Sequence, residues 1–424
     1  MRKRILTLLL LCAFVGSIAT RAEQKPLHLA IGDPDRKDRE VEVVLDAVVD
    51  TRSGDELNPS ELAVRLAGVR LLFVGESHTD IEFHRVQLRI LDELRRAGRQ
   101  VLIGLEMYPY TEQDVLDGWI AGHYTEDGFV EISGWYDSWS YHWDYYRDIF
   151  LFARDHGVPM YAVNTPREVI RAVREKGFED LTEEEAAHVP PEIDLTSDEH
   201  RRLFRSYFDD DDPLHTQMTD EQWEGMVRAQ ATWDATMGYN SVRALEKHDD
   251  PDTILVVLAG SGHVAYGLGI ERQAARWLAA GTGDGGMASV IPVPVRDGDG
   301  EPVTSVQASY ADFVWGLPPV TDALYPSLGI STREVEGEDR RKLIYVSEDS
   351  PGEKAGFEIG DVVLTMDGHQ IATREDLAVL MSKKRWGDEA AVAVRREEET
   401  VELLVLFRRE LSDKSDKSDS SEEE

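Results

Sequence analysis

The chain has 424 residues, of which 82 are acidic, 46 basic and one cysteine, with 42% hydrophobic content. That length predicts two or three domains, and the apolar fraction suffices for buried cores, which excludes wholesale disorder. A formal charge of −36 excludes a nucleic-acid backbone as partner and a polybasic grip on anionic lipid, because like charges would meet without counterion release. The single cysteine excludes intramolecular disulfides, thiolate zinc clusters and iron–sulfur ligation.

In chain order, residues 1–22 predict a secretory signal. MRKR is a basic start, ILTLLLLCAFVGSIA is apolar but short for a bilayer span, and Thr20-Arg21-Ala22 places small residues for cleavage after Ala22. Removal takes Arg2, Lys3, Arg4 and Arg21, so the mature chain is more acidic still. The expected location is the periplasm or cell envelope. A lipid anchor at Cys12 is the disfavoured alternative, since Leu11 stands where a lipoprotein signal has a small residue. No other segment is apolar for long enough to predict a membrane-spanning helix.

A large body follows over residues 23–318. Asn58-Pro59-Ser60-Glu61 carries a cap residue, a proline at the first helical position and a glutamate, the pattern of a capping box. Four short apolar runs, Val69–Val74, Val101–Leu105, Met160–Val163 and Ile254–Ala259, suit strands buried on both faces. Helical stretches separate them: Val86, Ile90, Leu91 and Leu94 recur at helical spacing after Asp80, and residues 165–250 read as a helical insertion with a polar loop at Asp209–Pro213. The alternation predicts an α/β fold with a mostly parallel sheet and flanking helices. Prolines then cluster in GLPPVTDALYPS, which predicts a linker over 319–326, a small β-rich unit over 327–409 and a disordered acidic tail over 410–424.

Each apolar run ends on polar or ionisable residues: Gly75-Glu76-Ser77-His78, Glu106-Met107, Asn164-Thr165-Pro166-Arg167 and Gly260-Ser261-Gly262-His263. In open α/β sheets the carboxyl ends of the strands form the ligand crevice. Glu76, His78, Glu106 and His263 therefore form a candidate catalytic quartet. They are also a mixed nitrogen and oxygen donor set suited to a divalent metal such as manganese, cobalt or zinc, or, without metal, a general base with an orienting carboxylate. Spacing alone does not separate the two. His84, six residues after His78, is expected to face the same space. The stretch Trp135–Tyr146 carries seven aromatic residues; Trp139, Trp143 and Tyr146 predict one buried helix running on through Ile149, Phe150 and Ala153, while the remaining rings suit a flat porphyrin pocket.

VGESHTDIEFHRVQLRILDEL, GLEMY, the W-x-x-Y of Trp143–Tyr146, AVNTPRE, the WDATM of Trp233–Met237 and AGSGHVAYGLGI appear in that order. Together they resemble the successive blocks of the ChaN haem-binding uptake family, within a superfamily that includes the Tiki and TraB proteins and shares its Glu/His layout with erythromycin esterases. The resemblance spans about residues 40–318. It implies an exported haem-binding protein of iron acquisition, with a homodimer as the form that would sandwich the cofactor. In the Tiki and esterase relatives it implies metal-dependent proteolysis or water activation at positions matching Glu76, His78, Glu106 and His263. The poor lipobox departs from the family's usual anchor, and no motif here places the family's haem-ligating tyrosine.

The small unit resembles a PDZ domain of periplasmic proteases through Ser327-Leu328-Gly329-Ile330, the run IYVSEDSPGEKAGFEIGDVVLTMDGHQI and the helix TREDLAVLMSKK. The resemblance implies capture of peptide C-termini at Leu328, Gly329 and Ile330, with a peptide added to the sheet edge. Gly356, Gly360 and Gly368 are expected in turns of positive φ. Three functions stand against one another: haem binding in the envelope, a metal-dependent peptidase or esterase with PDZ substrate capture, and an interaction protein whose body has lost chemistry. The order of the blocks favours the first.

Overall fold

The computed structural model describes residues 24–208, 218–278, 286–320, 323–335 and 337–409. The expected signal segment with Cys12, the polar loop at Asp209–Pro213 and the acidic tail lie outside the described residues. Two compact units divide at Ala323.

The first unit is built on an eight-stranded sheet. Its strands are β2 (Val48–Asp50), β3 (Glu56–Leu57), β4 (Leu71–Glu76), β5 (Gln100–Pro109), β6 (Met160–Asn164), β7 (Thr253–Gly260), β8 (Met287–Pro294) and β10 (Phe313–Leu317), while β1 (Glu40–Glu42) and β9 (Ser305–Gln307) form a separate ribbon. The order is β3-β2-β10-β8-β4-β7-β5-β6; the six strands from β10 to β6 are parallel, and β2 and β3 add an antiparallel edge. All six residues of β4 and all eight of β7 are buried, which is why both read as unbroken apolar runs. The chain lays down β4, crosses to β5 and β6, then returns to insert β7 between β4 and β5 before placing β8 on the far side of β4. That reversal makes the carboxyl rim of β4, β7 and β5 a topological switch point.

β8 was not among the four expected strands, because its prolines disguise it. It pairs with β4 only through Met287–Val290, and beyond Val290 with β10 alone, so Pro292 and Pro294 fall where hydrogen bonds are needed on one side only. β5 also runs past the expected end at Leu105 to Pro109, with its register to β6 shifting between Leu105 and Pro109. Glu106 is thus a strand residue rather than a loop residue.

Helices cover the sheet. Asn58 caps the helix Pro59–Arg65 in the expected box with Glu61. Asp80 caps Ile81–Arg96, which buries Val86, Ile90, Leu91 and Leu94 together with His84 and Gln87. Residues 165–250 hold helices at Arg167–Lys176, Glu183–Ala187, Asp198–Ser206 and Asp220–Leu245, while 188–197 form no helix. Trp139, Trp143 and Tyr146 are buried as expected but do not share one helix. The helix Trp135–Ser138 stops, Ser140 takes a φ of 71°, and His142 is extended before a 3₁₀ turn at Trp143–Tyr145 and a new helix at Arg147–His156. A left-handed serine cannot sit inside a right-handed helix, so the aromatic rings enter the core from three separate turns.

In the second unit, β11 (Ile330–Val335), β12 (Glu338–Val346), β13 (Val362–Met366), β15 (Glu389–Arg396) and β16 (Glu399–Leu406) form an antiparallel sheet in that order, with β14 (His369–Gln370) paired to β13. Its core gathers Leu328, Leu343, Phe357, Val363, Met366 and Ile371, and the helix Arg374–Met381 packs Leu377, Leu380 and Met381 against them. Gly356, Gly360 and Gly368 take φ of 89°, 104° and 79°, as expected.

The long helix Asp220–Leu245 is buried on nearly every side, so its approach to neighbours depends on side-chain size. A methyl group at Gly238 would lie 2.9 Å from the Ala274 nitrogen and 3.0 Å from the Ile270 carbonyl of the adjoining helix. Gly238→Val is expected to lower unfolding free energy by about 2–3 kcal/mol in urea titration, and an unchanged midpoint would refute this close contact.

Candidate functional site

Glu76 closes β4 with its side chain fully buried, so every lone pair needs a partner inside the protein. Tyr146 donates to Oε1 at 2.6 Å, His78 Nδ1 donates to the same oxygen at 2.7 Å, and Gln87 donates to Oε2 at 2.6 Å. Burial opposes ionisation of Glu76, but the nearby charge of His84 and the bonds from His78 and Tyr146 outweigh it and bring the pKa down to about 2. An ionised carboxylate only accepts, so Nδ1 of His78 carries a proton, while Nε2 lies beside Gly260 at the end of β7. The His78 ring stands edge-on to Trp139, centroids 4.9 Å apart, and 4.6 Å from Tyr141. Its side chain keeps 16% exposure.

A second dyad mirrors the first. His263, in the short helix Ser261–Val264, holds Nδ1 2.6 Å from Asp234 Oδ1, and Gln230 Nε2 lies 3.0 Å from the same nitrogen. Asp234 is wholly buried on the long helix, and its other oxygen accepts from His200 Nε2 at 3.0 Å. Burial works against protonation of His263, yet the charge of Glu106 and the bond to Asp234 prevail and raise its pKa to about 9.

Glu106 stands between the dyads. Its Oε2 accepts the Gly260 amide at 2.7 Å, and its Oε1 lies 3.5 Å from His263 Nε2. Gly260 marks the meeting point: a methyl group there would lie 3.2 Å from His78 Cε1 and 3.7 Å from Glu106 Oε2. The structure therefore brings Glu76, His78, Glu106 and His263 to one rim. His84 does not join them. It is buried behind Glu76, with Nδ1 3.1 Å from Gln87 Oε1 and Nε2 3.3 Å from the His78 carbonyl. The third strand end contributes scaffolding: Asn164 donates to the Glu106 carbonyl at 2.7 Å, and Arg167 reaches the carbonyls of Asp137 and Ser138 in the aromatic turn.

Sequence reasoning missed Asp234, Gln230, His200 and Gln87. The available signal was Asp234 itself, a lone carboxylate in the uncharged stretch Ala229–Asn240 of a helix. The expected manganese, cobalt or zinc centre finds no counterpart, since no group of three or more His, Cys, Asp or Glu among the described residues is placed to hold a metal ion. The carboxylate oxygens are spent on amide, phenol and imidazole donors, so the ligands face one another in pairs instead of a common centre. The donor chemistry for ferric haem is different: it asks for an imidazole or phenolate beside flat apolar surface, and His78 packs against the rings of Trp139 and Tyr141.

In the second unit Gly329 takes a φ of 70°, and a methyl group there would collide with Ser350. Leu328 is buried, its carbonyl accepts from the Gly352 amide at 2.9 Å, and the Gly329 carbonyl accepts from Ser347 at 2.7 Å. β11, which starts at Ile330, is paired on one side only, by β12.

The model of the haem-binding uptake family of the Tiki superfamily, ChaN, matches residues 62–273, half of the chain, and the PDZ domain model matches 326–406. The chain is 28% identical over 214 residues to Protein RETICULATA-RELATED 5, chloroplastic, of Arabidopsis thaliana, covering 48% of this chain and 28% of that protein. It thus spans little more than a quarter of that relative's length. Among solved structures it is similar to ChaN of Campylobacter jejuni with cofacial haem, at 16% identity and a TM-score of 0.48, covering 63% of this chain and 95% of the other. It is also similar to the HtrA-type protease AlgW with a decapeptide, at 20% identity and a TM-score of 0.19, over 20% of this chain and 30% of the other.

The His263 shift gives stability a pH signature. The folded pKa lies above the ordinary 6.5, so this stabilisation is complete below about 6.5 and is lost as pH rises through about 9. Urea midpoints are expected to fall between about pH 7 and about pH 10, and to fall less in Asp234→Asn, which removes one of the two charges that raise the pKa. Equal slopes in both proteins would show that Asp234 does not set the titration of His263.

Proposed function

Because the chain belongs to the haem-binding uptake family of the Tiki superfamily, that of ChaN, we propose that it is an exported haem-binding protein of the cell envelope, carrying a PDZ module that captures peptide C-termini. The observation that carries the haem reading is the wall at the sheet rim: His78, anchored through Nδ1 to buried Glu76, packs against Trp139 and Tyr141, which also touch each other, and keeps part of its ring open. Bound haem would supply a ferric iron with affinity for imidazole nitrogen, His78 would be the residue to hold it, and its Soret band would report the binding.

The chain's own residues divide the remaining work. Glu76 fixes the tautomer and plane of His78 and makes its outward nitrogen more basic, as a carboxylate does behind a ligating imidazole. Tyr146 and Gln87 hold Glu76 in place, so the anchor does not turn away. Trp139 and Tyr141 pack on the imidazole and on each other, which gives it apolar surroundings and keeps water from its edge. The hydrolase alternative is not favoured, because it asks the quartet for a divalent ion and no such cluster stands among the described residues.

Export rests on the basic and apolar start of the sequence and its small residues at Ala22. Peptide capture rests on the PDZ match, the open edge of β11 and the positive φ at Gly329.

Titrating the purified protein with hemin is expected to give a saturable Soret shift at micromolar concentration. His78→Ala should weaken binding about tenfold or more, while Gln113→Ala, at the start of the helix Gln113–Ile120, should leave it unchanged. An unchanged hemin spectrum overturns the haem reading, and full affinity in the His78 variant moves the cofactor away from this rim.

A further inference from the structure

The segment that precedes β1 is tied to the second dyad from two sides. Three residues beyond His263, buried Tyr266 takes a left-handed φ of 63° without being glycine, and Gly267 follows at 65°. Such a backbone persists only where its surroundings fix it. The Tyr266 amide donates to the Tyr310 carbonyl at 2.7 Å, and the two rings meet edge-on with centroids 5.3 Å apart. This turn delivers the phenol to residues 26–32. Its oxygen accepts from the Leu29 amide at 2.9 Å, and its proton goes to the Pro26 carbonyl at 2.5 Å.

Gly32 completes the contact. Its φ is 83°, and a methyl group there would lie 3.0 Å from the Tyr266 carbonyl oxygen, so glycine lets the segment pass this close. The Gly32 amide donates to Glu199 at 3.2 Å. Glu199 stands beside His200 in the first turn of the helix Asp198–Ser206, and His200 is the second partner of Asp234. The segment is therefore joined to both histidines of Asp234, through Tyr266 to the chain of His263 and through Glu199 to the helix of His200. Downstream, Arg36 fastens it to the sheet by hydrogen bonds to Thr51 and the Ala311 carbonyl and an ion pair with Asp312.

Asp234 has no exposed side-chain surface, so its charge is tolerated only while both imidazoles are held against it. A shift of either histidine reaches the rim, where His263 Nε2 faces Glu106 at 3.5 Å. We propose that residues 26–32 are a strap that positions His263. Docked on Tyr266 and Glu199, the strap keeps the dyad in register; released, it loosens His263 and weakens ligand binding at the rim. Tyr266 and Glu199 act as positioning residues, one through the turn after His263 and the other through the helix of His200. A pull on the N-terminal segment then changes the affinity of the rim from outside it. That effect on affinity rests on the reading of the rim as the haem site, whereas the positioning of His263 does not.

The test uses the full chain with isotope-labelled histidine, read by NMR, amide hydrogen exchange and hemin titration. In the unaltered protein the proton that His263 shares with Asp234 is expected far downfield, the mark of a short charge-assisted bond. Tyr266→Phe removes only the hydroxyl. It is expected to speed exchange at the Leu29 and Gly32 amides about tenfold or more, to move the His263 proton upfield and to weaken hemin binding about threefold or more. Glu199→Ala should act in the same direction, whereas Glu199→Gln, which keeps an acceptor for Gly32, should retain the unaltered spectrum. Unchanged exchange in Tyr266→Phe overturns the strap. Faster exchange with an unmoved His263 proton, or no downfield proton in the unaltered protein, overturns the positioning role. A moved proton with full hemin affinity overturns the control of the rim. A moved proton in a protein that gives no Soret shift at all supports the strap and removes the haem reading.

Discussion

A carboxylate with no exposed side-chain surface sits at the end of β4, and the organisation of the rim follows from the need to keep its charge satisfied. An isolated buried anion would cost several kcal/mol or be protonated, so Glu76 requires donors from several directions. They come from Tyr146 in the aromatic segment, Gln87 on the helix after β4, and His78 just past the strand, with His84 adding its charge from behind. Removing Gln87 would take the hydrogen-bond donor from Oε2 in a packed interior, whereas Oε1 has two donors. The sharp turns of the aromatic segment, with Ser140 at positive φ, are thus tied to the strand end they serve.

The same rule operates at Asp234, where the charge is shared between His200 and His263. The two dyads use different elements, a strand end with its following helix on one side and a long crossing helix on the other, and Glu106 of β5 lies between them. Each histidine has one ring nitrogen committed to a buried carboxylate and the other turned toward common space. That arrangement holds two imidazole rings in fixed planes at the rim, with the charge of each ring supported by buried carboxylates. It also explains why these histidines and carboxylates do not form an ion cage: their oxygens are already coordinated by protons.

Much of this was legible in the sequence because the fold places chemistry at strand ends. Glu76, His78 and His263 each follow an apolar run within a few residues, and a parallel sheet turns that one-dimensional regularity into proximity. What was not legible has physical causes. The WDATM helix is buried all round, so its periodicity carries no face signal, and Asp234 had to be noticed as a charge out of place. The aromatic segment has helical spacing without helical backbone, since spacing reports which rings are buried and not the path between them. His84 obeyed the helical pattern that put it near the site, but helix geometry turned it beneath Glu76. In the C-terminal unit, glycines at positive φ announced the turns, whereas the meeting of Arg341 with Glu334 depends on the register of β11 against β12, which composition does not encode.

The prolines of β8 bear on a different hazard. Beyond Val290 the last part of β8 has no strand partner on the β4 side, and although Ile291, Pro292 and Val293 are buried, an unpaired flank is where a segment of another chain can add as a strand. Pro292 and Pro294 have no amide hydrogen to offer, so that flank is a poor template for aggregation. Two rings thus withhold the amide hydrogens that an added strand would need, a safeguard that requires no additional structure.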